Sequence, residues 1–116
     1  MTVSIFGDQV DLGNRYACIE KLAEVIAGLS DQIAGGRTIS TVKGDNARSI
    51  ERMVDAIGSS LTERTNLIES VISLASGNCD AKRAMKILSE STNILVRLSS
   101  DGHVPNPFAL LRACEG

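Results

Sequence analysis

DNARSIERMVDAIGSSLTERTNLIESVISLAS, Asp45 to Ser76, carries one apolar pattern through about eight helical turns. Ala47, Ile50, Val54, Ile57, Leu61, Ile68, Val71 and Ala75 recur at alternating spacings of three and four, the rhythm of a heptad seam. Met53, Leu67 and Leu74 widen that seam on one side, which suits burial against two or more helices rather than a narrow two-stranded zipper. The spacing therefore predicts one long helix, with Asp45 or Asn46 as its N-cap and Gly77-Asn78 as its terminator. Gly58 is its weak point, because glycine inside a helix costs about 1 kcal/mol relative to alanine. Arg64 occupies a seam position, where a cation needs a partner to offset its desolvation. It reads as a register pin bonded to a carboxylate or to helix-terminal carbonyls, with an anion contact as the functional alternative.

On the N-terminal side, Leu12, Tyr16, Ile19, Ala23, Ile26 and Ile33 recur at helical spacing, broadened by Leu22, Val25 and Leu29. Asp11 or Asn14 can cap this first helix, and Gly35-Gly36 closes it. Residues 2–6 and 38–42, TVSIF and TISTV, are rich in β-branched types and bounded by glycine, so both carry short-strand signals. On the C-terminal side, a third helix is predicted from Asp80 to Ser99, with Ala81, Ala84, Leu88, Leu95 and Leu98 on its seam and Met85, Ile87 and Ile94 beside it. HVPNPFALLRACEG then contains both prolines and predicts an extended start followed by a short helix from Phe108 to Cys114. Its Phe108, Leu110 and Leu111 are too apolar to be left in water and are expected to dock on the rest of the chain or on another molecule.

At 116 residues the chain is expected to form one helical-bundle domain, residues 1–116. Only 3% of the residues are aromatic and none is tryptophan, so the core must be aliphatic. A formal charge of −2 offers no global attraction to nucleic acid or to an anionic membrane. Cys18, Cys79 and Cys114 form an odd set without CxxC spacing, which favours free thiols in a reducing compartment and suggests no zinc site. The opening MTVSIFGDQVDLG has neither a basic leader nor a long apolar run, and no run of about 18 apolar residues follows. A cytoplasmic location is the expectation.

Candidate chemistry is sparse. His103 is the lone histidine and sits in a turn, away from any candidate nucleophile. No phosphate-binding loop, dinucleotide fingerprint, HExxH or EF-hand pattern occurs, so no cofactor, metal or catalytic residue is assigned. Cys79, near a helix N-terminus, is positioned for some thiolate stabilisation; its other reading is a small apolar residue in the cap region. Lys82, Arg83 and Lys86 make the start of the third helix basic, either as anion contacts, as Arg64 is in its functional alternative, or, more simply, as a solvated face.

IERMVDAIGSSLTERTNLIESV, residues 50–71, resembles the long helix of the all-helical chorismate mutases, a family that places Arg and Lys inside a bundle to grip two carboxylates. In this chain Ala75 stands where a clamping lysine would follow one turn after Val71, so the set the resemblance implies is incomplete. The combined expectation is an all-α antiparallel bundle of three main helices plus a short C-terminal helix, with strand signals at 2–6 and 38–42. Its packing and interface residues are Ile50, Val54, Ile57, Leu61, Arg64, Ile68, Val71, Phe108, Leu110 and Leu111. The function expected is that of a non-enzymatic interaction and oligomerisation module: an assembly or secretion chaperone, an apparatus subunit or an adaptor. Its partners would be itself and another protein, with no membrane span. A small helical enzyme acting on an anionic metabolite, in the manner of the chorismate mutases, is the alternative. A dimeric nucleic-acid-binding regulator comes third.

Overall fold

In the computed structural model, residues 1–36, 42, 44–99, 104–105 and 107–108 are described. The elements are β1 (Thr2–Ile5), β2 (Asp8–Asp11), α1 (Arg15–Ala34), α2 (Asp45–Ile57), α3 (Leu61–Leu74) and α4 (Ala81–Leu98). The long central helix expected from the heptad seam is two helices, so the described helices number four. Two local causes coincide at the break. Gly58 adopts φ +80°, a left-handed conformation that ends α2 and that a residue with a side chain reaches only at a cost. Ser60 and Glu63 then build a reciprocal capping box: Ser60 Oγ accepts from the Glu63 N–H at 3.1 Å, and Glu63 Oε1 accepts from the Ser60 N–H at 3.0 Å. Backbone groups that a continuous helix would have paired internally are satisfied by a new start instead.

The strand expected at 2–6 is present as β1 and pairs antiparallel with β2, an element the sequence reading missed. Val3 faces Val10 and Ile5 faces Asp8 across the ladder. Phe6 (φ +49°) and Gly7 (φ +86°) make a two-residue turn with both residues left-handed, as the strand twist of a tight hairpin requires. For a bulky residue such as Phe6 that conformation costs about 1–2 kcal/mol. The hairpin is held to α2 by two bonds: Asn46 Oδ1 accepts from the Phe6 N–H at 2.9 Å, and Ser49 Oγ donates to the Ser4 carbonyl at 2.6 Å. Asn46 is therefore not the N-cap of α2. That position is Gly44, which makes no side-chain bond. The strand expected at 38–42 lies outside the described residues except for Val42.

Asn14 caps α1 through an Oδ1 bond from the Ala17 N–H at 3.1 Å, and Asp80 caps α4 through a bond from the Arg83 N–H at 2.8 Å. The helices pack around one aliphatic cluster that includes Ile5, Ile19, Leu22, Ile26, Met53, Ile57, Leu67, Leu74 and Leu95. Phe108 is fully buried in the same cluster, the first of the two dockings its apolar character allowed; Leu110, Leu111 and the rest of the expected terminal helix lie outside the described residues. α1 touches α2, α3 and α4, and it also covers β2.

One residue joins three helices. Arg15, the first residue of α1, donates from Nε to the Ile57 carbonyl at 2.6 Å and from an Nη to the Leu98 carbonyl. Ile57 ends α2 and Leu98 ends α4, so a single guanidinium serves carbonyls that no intrahelical N–H can reach. Helix-terminal carbonyls, one of the two kinds of partner expected for Arg64, are thus taken by Arg15. Among the described residues no helix is long and apolar enough to cross a membrane.

Candidate interaction surfaces

The expected interface residues separate into two sets. Ile50, Val54, Ile57 and Val71 are buried in the chain's own core, whereas Leu61 is 78% exposed. The expectation that Leu61 would be core fails because it was counted along a continuous helix. After the Gly58 break, Leu61 becomes the first residue of α3 and points outward. Leu61, Ile68 and Ile72 stand at positions i, i+7 and i+11, which places them along one face of α3. Ile72 is 62% exposed and Ile68 is partly buried, so this face carries aliphatic surface toward solvent. The inner face of the same helix carries Leu67, Val71 and Leu74 into the core.

Between α2 and α3 this outer strip opens into a shallow cleft of about 60 Å³ lined by Val42, Ala47, Ile50, Glu51, Ile68 and Ile72, together with Val71. Its walls are aliphatic apart from Glu51. Arg64, on the flank of the strip, donates from Nε to Asp55 Oδ1 at 2.5 Å and so staples the start of α3 back onto α2. The side-chain bond and the charge of Asp55 raise the Arg64 pKa further above its ordinary value. The partner is the carboxylate that one of the sequence readings required of it.

The other candidate anion contacts lie on a different helix from Arg64. Glu63 pairs with Arg97 at 3.2 Å, so the start of α3 lies beside the end of α4. Lys82, Arg83 and Lys86 stand 11 to 15 residues earlier on α4, about 16–22 Å along its axis. All three are exposed. Arg83 reaches a wider polar groove of about 530 Å³ between α3 and α4, where Asn66, Glu69, Glu90 and Asn93 form the walls and Ile87 and Ile94 contribute apolar surface. Cys79 has its thiol pKa pushed up by burial, against the lowering influence of Arg83, and so lacks the stabilised thiolate that its place before α4 suggested. His103 and Cys114 lie outside the described residues.

A second groove, about 290 Å³, runs between the hairpin turn and α1. Phe6, Val25 and Leu29 supply its apolar surface, with Gly28 beside them and Asp8, Lys21, Glu24 and Gln32 completing it. Lys21 donates to Asp8 at 2.5 Å and lies 3.2 Å from Glu24, with only 11% of its side chain exposed. Burial alone would lower its pKa, but its bonds to the two carboxylates outweigh that and hold it above the ordinary lysine value. Sequence reasoning passed over this groove because Phe6 and Gly28 look like a strand end and a helix defect until the hairpin folds back.

Comparison of the chain with protein-family models, with curated proteins and with solved structures finds no match in any of the three.

Proposed function

We propose that this chain is a non-enzymatic helical interaction module, a single up-and-down bundle that self-associates in the cytoplasm through the outer face of α3. The observation that carries the reading is the strip of Leu61, Ile68 and Ile72, whose aliphatic surface continues into the α2–α3 cleft. Nothing within the fold requires large aliphatic residues at positions 61 and 72, since both side chains lie mostly outside it. A second copy laying its own α3 across the strip covers both strips at once, in the manner of a twofold interface. The bundle arrangement is supported by the corner contacts: the start of α1 meets the ends of α2 and α4, and the start of α3 meets the end of α4. A reducing compartment is supported by the free thiols of Cys18 and Cys79.

The test is sedimentation equilibrium of the wild-type chain beside Ile72→Glu and Leu61→Glu. The wild type is expected to dimerise. Each variant is expected to shift toward monomer, with its thermal midpoint equal to the wild type's at concentrations where both are monomeric, because the altered side chain starts in solvent. A wild type that stays monomeric at every concentration, or variants that assemble like it, would overturn the reading.

A further inference from the structure

We propose that the groove between the hairpin turn and α1 is a second self-recognition site, and that its occupant is the exposed Met85 of another copy, guided by Lys82 and Lys86. The occupant follows from matching apolar and charged surfaces on the same chain. Met85 is 51% exposed on the outer face of α4. Lys82 and Lys86 stand at i−3 and i+1 from it, and neither makes an ion pair among the described residues. On the helix both lysines fall on the same side of Met85, so the unbranched thioether is an apolar knob with two ammonium groups along one flank.

The groove has the complementary form. Its apolar part is Phe6, Val25 and Leu29, and at its rim Asp8 from the hairpin and Glu24 from the helix, both bonded to Lys21, set two carboxylates close together. The side chains of both are more than 60% exposed, so their ion pairs with Lys21 leave oxygen surface open to a second cation. Lys21 itself is mostly covered and offers little repulsion at the surface.

Two local disadvantages converge on this groove. Phe6 holds a left-handed conformation that an asparagine would adopt more readily. Gly28 sits inside the continuous α1, where glycine weakens a helix, although a Cβ there would meet nothing within 4 Å. Neither is demanded by packing inside the chain, and both act on one concavity: an aromatic wall and a bare spot beside it. Because groove and knob are different surfaces, their contact is head-to-tail. It extends into rings or open chains rather than closing as a pair.

The inference goes beyond the α3 dimer, so its test uses chains in which Ile72→Glu has removed that face. Sedimentation velocity from micromolar to millimolar concentration is expected to show species growing with concentration, weakened by salt. Glu24→Lys and Lys82→Glu, each added singly, are expected to weaken association roughly tenfold or more by setting like charges against each other. An equimolar mixture of the two should restore it, since each groove then meets an opposite knob. Phe6→Asn suits the turn but removes the wall, so it should abolish association while the fold is kept; Met85→Ser should do the same from the other side. If Glu24→Lys fails to fold, Phe6→Asn and Met85→Ser decide the matter alone. A chain that stays monomeric at every concentration, single variants that assemble like their parent, or a mixture that does not recover would each overturn the proposal. So would a Phe6→Asn chain that associates normally.

Discussion

Arg15 shows how much can rest on a single side chain. Its planar fork meets the last carbonyls of two helices, and an ammonium, without that planar fork, is poorly suited to satisfy both. Arg15→Met is therefore expected to destabilise the fold by about 2–4 kcal/mol in urea denaturation, with Arg15→Lys recovering only part of it. A loss below about 0.5 kcal/mol would mean that the carbonyls find solvent instead. Gly28 makes the opposite case: with open space around it and helical neighbours, Gly28→Ala should raise stability by about 0.5–1 kcal/mol. Arg15 was not legible in the sequence, because its partners lie 42 and 83 residues away and no local pattern marks an arginine that will reach them. Arg64 stood out because it interrupts an aliphatic run, but its carboxylate partner Asp55, nine residues earlier, comes within reach only because the chain turns at Gly58.

At the level of elements, the corner between α2 and α3 separates two opposite expectations. On a continuous helix, Gly58→Ala would stabilise by about 1 kcal/mol; at φ +80° it should destabilise by about 1–2 kcal/mol. The sign of the shift in the denaturation midpoint checks the break directly. Glu63 makes the corner sensitive to acid. Its pKa is lowered by the bond it accepts from the Ser60 backbone, against some desolvation, with further lowering from the Ser60 side chain and Arg97. Its contribution is therefore present above the ordinary glutamate value and lost as pH falls through the lowered one. Between about pH 6 and pH 3, wild-type stability should fall more steeply than that of Glu63→Gln, and parallel curves would rule the effect out. The break had a visible signature, since Ser60 and Glu63 stand at capping-box spacing and Ser60 follows Gly58 by two residues. The heptad count overrode it because its apolar positions run on across the gap, and only Leu61 betrays the change of direction. The second strand was hidden for another reason: DQVD offers a single apolar residue, too few to show an alternation.

For the whole molecule, the helical class, α1 and α4 were legible, because long aliphatic periodicity and a shortage of aromatic residues leave few other ways to build a core. The surfaces were not, since which apolar residues face outward depends on how the helices are cut and turned. The contrast is measurable on one helix. Leu67→Ala should cost about 2–5 kcal/mol, whereas Leu61→Ala should cost less than about 0.5 kcal/mol while weakening self-association. Equal losses for the two would show that α3 is turned differently. The fork of Arg15 also sets an order of events during synthesis. Arg15 emerges early, yet its second acceptor belongs to a residue made 83 positions later, about 4–17 s at ordinary translation rates. Until then the start of α1 is bound to α2 at most. A nascent chain arrested before α4 should therefore be cut readily by protease near Arg15, and one arrested well past Leu98 should resist.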